Sequence, residues 1–453
     1  MKYLLCLLGC CLFSLLTNAQ NCPVTQQRKY ATQHIEESSA GSVSEGEKSA
    51  DANPKTASTL SIGLALLGGS ATQHMGFSSR VQAGTPVSVK INYPSSLLGL
   101  AVTVTVQPFV YNGSSSPVAT GRSWTASSLL ALASANGDFI MTVTPQNNSG
   151  VNLPYDGVSV KMSATVGLGL SMNVYDAWIM ETVNPAACNN PIDVLSGARA
   201  GAVQLLNATG GVTKPWAAID DDPTLATYAT LNTGAQVLSE VFETVVFSTP
   251  SKPGDSLYIV LQDPGAALLD LGLLKGFAIQ PYLGDNPVGA PITNNASLLN
   301  LRLLAGAGNK YVLSAAVPAS FDRLDIKMGG VANALASLRL YDVRMVAPRP
   351  QIELQLNGIP DAGPVCIRDV GKIKLQVTNI DPCATYYWYK SDNTPLPAGT
   401  SFSPVLTAAG TYTWYVEAVR NGCSNQVKNR MPVTVKIVPV PGSPLLTIQP
   451  NNP

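Results

Sequence analysis

Apolar and polar residues alternate through much of this chain. Val87-Ser88-Val89-Lys90-Ile91, Val102-Thr103-Val104-Thr105-Val106, Val158-Ser159-Val160-Lys161-Met162 and Leu324-Asp325-Ile326-Lys327-Met328 each keep a period of two. That period sends successive side chains to opposite faces of a strand, one buried and one wet, the pattern of an antiparallel sandwich. Leu-rich, nearly uncharged segments lie between: Leu64-Ala65-Leu66-Leu67, Leu97-Leu98-Gly99-Leu100, Leu268 to Leu274, and Leu303-Leu304. They read either as inter-strand loops and short helices plugging the ends of a sandwich, or as an exposed apolar patch for self-association or a partner.

The alternating segments belong to one module written twice, over residues 51–176 and 220–342. Phe77-Ser78 then Gly84 returns as Phe247-Ser248 then Gly254, Gln107-Pro108-Phe109 as Gln280-Pro281-Tyr282, and Ser128-Leu129-Leu130 as Ser297-Leu298-Leu299. The copies close alike, Tyr155-Asp156 and Asn173-Val174-Tyr175-Asp176 matching Phe321-Asp322 and Arg339-Leu340-Tyr341-Asp342. A unit of about 165 residues is too long for a solenoid repeat and fits a domain. Each copy has a polar lead-in, read as largely extended, opened by Cys22 in the first and Cys188 in the second.

From about Pro350 aromatic residues become denser. Gly371 to Val377 alternates, Tyr386-Tyr387-Trp388-Tyr389 follows, and Gly410-Thr411-Tyr412-Thr413-Trp414 leads to Asn421-Gly422-Cys423 and a last strand, Val433 to Ile437. This order fits an immunoglobulin-like sandwich with Trp388 on strand C, Tyr412 at the tyrosine corner, and Trp414 where antibody domains carry the second cysteine. Loops B–C and F–G of such a domain meet at one end, which places Cys383 beside Cys423. Strand B carries the chain about 23 Å away from Cys366, beyond the ~5.5 Å between α-carbons that a disulfide tolerates. The expected bond is Cys383–Cys423, with Cys366 unpaired.

The divisions that follow are 1–20 (signal peptide), 21–187 and 188–349 (the copies with their lead-ins), 350–439 (immunoglobulin-like domain) and 440–453 (Pro-rich tail). Three folded pieces are expected, with junctions near residues 185–190 and 347–351. Met1-Lys2, an apolar run from Tyr3 to Leu16, and Thr17-Asn18-Ala19 before Gln20 read as a secretory signal. Leu7-Leu8-Gly9-Cys10 has the form of a lipobox but lies inside the apolar run. No other stretch has the ~20 uninterrupted apolar residues of a membrane span.

Lys plus Arg equals Asp plus Glu at 28 each, charged residues make up 12%, and no basic cluster occurs, so the footprint of a nucleic-acid binder is missing. Removing the signal leaves Cys22, Cys188, Cys366, Cys383 and Cys423, an odd number in an oxidising compartment. Asn-x-Ser/Thr triplets at Asn112, Asn147, Asn207 and Asn295 match the N-glycosylation pattern and are read as chance occurrences.

The last segment resembles the immunoglobulin-like modules found beside adhesin and polysaccharide-degrading domains in secreted proteins of Bacteroidetes. The resemblance rests on Val365-Cys366, Tyr387-Trp388-Tyr389, Gly410-Thr411-Tyr412 and Asn421-Gly422-Cys423. The copies look like the repeat modules that precede such domains. Ala218-Ile219-Asp220-Asp221-Asp222-Pro223 with Thr227-Tyr228, and Leu338 to Asp342, are similar to the opening and closing of discoidin-like jelly-roll modules. The resemblance implies an all-β chain of two jelly-roll-like β-sandwiches and an immunoglobulin-like one, acting in surface adhesion or carbohydrate binding. It also implies a Cys366–Cys423 pairing, against the topological reading above. The chain departs from the family in showing no recognisable C-terminal sorting domain.

Candidate chemistry is sparse. The chain has two histidines, His34 and His74, so any Ser-His-Asp or Cys-His arrangement must use one of them. Glu240 and Glu243, at odd spacing on a predicted strand, leave opposite faces rather than flank one cleft. No enzyme is expected. Asp220-Asp221-Asp222 and its counterpart Asp51-Ala52-Asn53 precede Pro223 and Pro54. Such a loop is either a Ca²⁺ site, with Asp220, Asp222 and Asp51 as ligands, or a solvated turn in which Asp caps backbone amides. Of the tryptophans, Trp388 and Trp414 read as core, while Trp124 and Trp216 are candidate sugar platforms. The sequence therefore reads as a secreted or cell-surface protein that binds extracellular glycans or surface proteins. A structural spacer, or an accessory module of a polysaccharide-degrading system, is the alternative.

Overall fold

The computed structural model describes residues 25–63, 68–93, 102–113, 116–125, 135–165, 169–183, 189–200, 210–233, 239–252, 254–265, 276–293, 300–304, 309–329, 337–361, 363–420 and 430–440. The signal segment, Cys22, Cys188, Cys423, the Leu-rich stretches at 64–67, 97–100 and 268–274, the motif at 128–132 and the tail beyond 440 lie outside them. Two compact units divide at Met345/Val346. Almost all described regular structure is β-strand, as the alternation predicts, and none of it is a helix long and apolar enough to cross a membrane.

In the first unit each copy is an antiparallel sandwich. One sheet of the first copy orders Ser42–Ser44, Ser58–Ile62, Leu170–Val183, Val87–Tyr93 and Ala135–Val143; the facing sheet orders Gln33–Ser39, Gly69–Val81, Tyr155–Ala164, Val102–Asn112 and Ser116–Ala119. The second copy repeats the order. Gly211–Thr213, Ala229–Asn232, Ser337–Val346, Ser256–Gln262 and Tyr311–Ala316 form one sheet, closed by Asn300–Leu303; Pro191–Ala200, Ser239–Phe247, Arg323–Gly329, Ala278–Leu283 and Asn286–Pro287 face it. Period-two strands bury alternate residues: Leu60, Ile62, Val89, Ile91, Val104 and Val106 in the first core, Leu257, Ile259, Leu324, Ile326, Leu338 and Leu340 in the second.

Repeated motifs do repeated work. Gln107 Nε2 donates to Pro108 O and Thr120 O, and Gln280 Nε2 to Pro281 O and Val288 O, each pinning a hairpin return. Asp156 accepts the Tyr111 amide, and Asp322 the Gly284 amide.

The lead-ins, expected as extended polar chain, form strands. Thr25–Tyr30 pairs with Leu170–Val183, and Gln33–Ser39 with Gly69–Val81. Pro191–Ala200 pairs with Ser239–Phe247 along one edge and with Ala135–Val143 of the first copy along the other. One twelve-stranded sheet therefore runs through both copies. Gly137, at φ +149°, permits this seam, since a Cβ there would stand 2.3 Å from Ser196 O. Leu195, Phe242 and Val246 of the second copy join the first copy's core, with Phe242 and Phe139 ring centroids 6.5 Å apart. The expected junction at 185–190 therefore lies within one packing unit, because the second lead-in serves both sandwiches.

In the second unit, one sheet orders Ile359–Pro360, Ile352–Leu356, Ile373–Val377 and Ser401–Phe402; the other orders Val365–Cys366, Met431–Val438, Gly410–Arg420 and Ala384–Lys390. Val365–Cys366 runs parallel to Met431–Val438 while the other pairings are antiparallel. Trp388 is buried and donates Nε1–H to Gly399 O at 2.9 Å; Tyr412 Oη donates to Ala408 O at 3.0 Å, the tyrosine-corner bond. Trp414 is buried and stacks on Tyr412. A 3₁₀ helix, Ile367–Lys372, separates Cys366 from its following strand, which starts at Ile373. Cys383 is disulfide-bonded, with a partner outside the described residues, and Cys366 is a free thiol.

Candidate functional site

The acidic loops are closed by their own donors. Asp51 accepts the Asn53 amide at 2.9 Å and the Thr56 hydroxyl at 2.7 Å; Asp220 accepts the Asp222 amide at 3.1 Å and the Thr227 hydroxyl at 2.6 Å. Both loops turn through a left-handed residue, Ala52 and Asp221. Asp222 takes the Thr224 hydroxyl and amide on Oδ1 and the Ala226 and Thr227 amides on Oδ2. These donors hold its carboxyl well below the usual range.

The closing strands bring in a further carboxylate, and here the copies differ. Asp342 is bonded by Arg344, whose Nη2 also lies 2.9 Å from Asp221 Oδ1, so a guanidinium already stands between the second copy's carboxylates. Burial raises Asp342 to about 6 against the pull of Arg344. Trp178 takes the equivalent position in the first copy. Asp176 accepts the Ala52 amide on Oδ1, while Oδ2 is buried with no partner, and burial, then Asp51, pushes it up to about 7. Among the described residues, no group of three or more His, Cys, Asp or Glu is placed to hold a metal ion.

Trp124 begins a two-residue strand paired with Val102–Asn112, and is half-buried against the first core. The Arg122 guanidinium carbon lies 5.1 Å from its ring centroid. Arg122 Nη2 donates to Gln146 Oε1, and Gln146 Nε2 to Asn152 Oδ1, both among exposed groups. Gly121 permits the approach: at φ +66°, a Cβ would stand 2.4 Å from Gln146 O. The Trp124 ring thus borders a guanidinium, which is itself bonded to the Gln146–Asn152 amide pair.

Trp216, in the 3₁₀ turn Pro215–Ala218, is half-buried with Lys55 Nζ 4.9 Å and Lys90 Nζ 5.3 Å from its centroid. It faces the first copy's lysines. Lys90 occupies an alternating position that reads as wet, yet it is 1% exposed because the second lead-in covers it. Its ammonium donates to Asp193 Oδ1 at 2.7 Å and Val194 O at 2.9 Å, and Arg28 donates to Asp193 Oδ2 at 2.8 Å. Pattern reading missed this network because its members are 165 and 103 residues apart.

His34 pairs with Glu36 on the surface. His74 Nδ1 lies 2.6 Å from Ser159 Oγ, and burial lowers its pKa. Ser159 sits in mid-strand between Gly69–Val81 and Val102–Asn112, so the surrounding amides serve the two ladders rather than an oxyanion hole. Glu240 bonds Lys327, whereas Glu243 points to the other side of the strand, fully buried with both oxygens unpartnered.

These features define an all-β chain of fused tandem sandwiches followed by an immunoglobulin-like domain. Residues 359–439 match the family model described as Ig-like domain, CHU_C associated. No curated protein matches the chain. Solved structures with some likeness include a fucolectin from Morone saxatilis (striped bass) serum, 12% identical, covering 70% of this chain and 98% of that one at a TM-score of 0.20. Another is the CBM32-1 and CBM32-2 pair of Clostridium perfringens ZmpB in complex with GalNAc, 10% identical over 71% and 90%, TM-score 0.22. The adhesin domain of Epf from Streptococcus pyogenes is 10% identical over 57% and 83%, TM-score 0.19. Likenesses this distant establish no shared ligand.

Proposed function

We propose that this is a secreted, non-enzymatic adhesion protein that binds extracellular glycans, with Trp124 as the stacking platform. The observation that carries the reading is the half-buried Trp124 ring beside Arg122, whose guanidinium in turn bonds the Gln146–Asn152 amide pair. A sugar's apolar face stacks on such a ring while its hydroxyls bond the flanking amides. Trp216, packed against Lys55 and Lys90, belongs to the seam between the copies rather than to a ligand. Calcium, where bound, belongs beside Asp176 and Asp51 and pins the loop. Screening the chain on immobilised neutral glycans tests the reading: binding lost in Trp124→Ala and kept in Trp216→Ala supports it. Silence across the panel favours a structural spacer, a role to which one sheet shared by both copies is suited.

A further inference from the structure

Lys90 and Asp193 meet in a dry position at the seam between the copies. Their side chains are 2% and 0% exposed, and Nζ lies 2.7 Å from Oδ1. The Val194 peptide holds both groups, its amide donating to Oδ1 at 2.8 Å and its carbonyl accepting from Nζ at 2.9 Å. Pro54 O also accepts from Nζ, at 3.3 Å, and the Tyr175 and Trp216 ring centroids lie 4.5 and 5.3 Å from it. On the far side, Arg28 Nη1 donates to Oδ2 at 2.8 Å, while its guanidinium carbon lies 3.9 Å from the Trp178 ring centroid.

Two cations and one anion give this cluster a single net positive charge. Burying an ammonium with a carboxylate carries a desolvation penalty that their attraction need not repay. Condensing the two into an amide removes both charges, keeps the net charge of the cluster at one, and leaves the Arg28 guanidinium over Trp178. Nζ is no further from Cγ than one hydrogen bond and one C–O bond together, which approaches the ~3–3.5 Å of a near-attack geometry. Fixed orientation replaces concentration, with effective molarities of about 10⁵–10⁸ M for well-aligned groups. A dry site also withholds the water that would hydrolyse the product.

We propose that Lys90 and Asp193 condense into an intramolecular amide that joins the two copies covalently. A proton passes from the ammonium to Oδ1 along the hydrogen bond between them, giving a neutral amine and a carboxylic acid. The amine lone pair attacks Cγ, the N–C bond forms, and the charge gathering on Oδ2 meets the Arg28 guanidinium. A second nitrogen proton then moves to Oδ1, the Cγ–Oδ1 bond breaks, Oδ2 becomes the amide carbonyl oxygen, and Oδ1 leaves as water. One ammonium and one carboxylate yield one amide and one water, with no change of oxidation state. The product ties Val87–Tyr93 of the first copy to Pro191–Ala200, the strand that pairs with both copies, across 103 residues of sequence. Stability losses worked from the ion pair alone are minimum values for a chain in which the amide has formed.

Mass spectrometry of the reduced and denatured full chain tests this. Wild type is expected to be lighter by one water than its sequence from the observed N-terminus requires, whereas Lys90→Arg and Asp193→Ala are expected at full mass. Trypsin cuts after a free lysine and not after an amidated one. Residues 81–122 should therefore survive uncut at Lys90 and appear joined to 162–199, the tryptic stretch that contains Asp193. The wild-type map decides the matter even where a variant fails to fold. Full mass in wild type, cleavage after Lys90 with no branched fragment, or a water loss that persists in either variant would each overturn the assignment.

Discussion

Replacing Asp193 with alanine would leave the Arg28 guanidinium and the Lys90 ammonium facing each other with no anion between them. Their side chains are 5% and 2% exposed, so water cannot take the carboxylate's place. Breaking a buried ion pair costs about 3–5 kcal/mol, because the surviving charge stays desolvated. Two cations lose a partner here, but each keeps part of its environment: Lys90 retains Val194 O, and Arg28 lies 3.9 Å over the Trp178 ring. A loss of about 4 kcal/mol is therefore expected, equivalent to a fall in Tm of about 8 °C at the ~2 °C per kcal/mol suited to a large domain. Because Asp193 lies on the strand that serves both sandwiches, cleavage between residues 183 and 191 should accelerate as well. Differential scanning calorimetry reads the first effect and limited proteolysis the second. Adding Lys90→Met should recover part of the loss, since the orphaned charge is then removed. A Tm within 2 °C of wild type for Asp193→Ala would refute the claim that this network holds the copies together.

Burial raises the Glu243 carboxyl well above its ordinary 4.5, so the folded chain holds a proton that the unfolded chain releases above that pH. The associated stability is complete below 4.5 and is lost as pH rises through the folded-state value. Urea midpoints of wild type should therefore fall relative to Glu243→Met between pH 5 and 8; parallel profiles would contradict this. Millimolar calcium should raise the melting temperature by mass action, and Asp176→Asn should remove the rise while Asp220→Asn keeps it. Identical curves with calcium and with chelator would end the calcium reading.

Local pattern made much of the strand content legible. Ile373–Val377, within the alternating run from Gly371 to Val377, buries every second residue, as period two requires. The repeated Gln-Pro-aromatic motif was visible as a duplication, and Gln107 and Gln280 make equivalent bonds because each precedes the same hairpin. Tyr412 could be placed because its partner, Ala408, is four residues away. What escaped depends on distant covering. Lys90 alternates as a wet residue and is buried only because Pro191–Ala200 lies across the seam. The polar lead-ins carry too few apolar groups to signal strands, yet they pair along existing sheets, where backbone hydrogen bonds rather than side-chain burial decide the conformation. Trp216 read as a free platform because nothing local announces Lys55 and Lys90. At Trp124 the ring was visible, but Gln146 and Asn152, which hold the neighbouring Arg122, arrive from another hairpin.

The most direct measurement is the affinity of the strongest-binding neutral glycan for wild type, Trp124→Ala, Arg122→Ala and Trp216→Ala. Loss of a stacked ring removes about 1–3 kcal/mol, by analogy with base–aromatic stacking, so Trp124→Ala should weaken binding by roughly tenfold or more. Arg122→Ala should weaken it less, and Trp216→Ala should bind as wild type does. Unchanged affinity in folded Trp124→Ala would contradict the proposed platform.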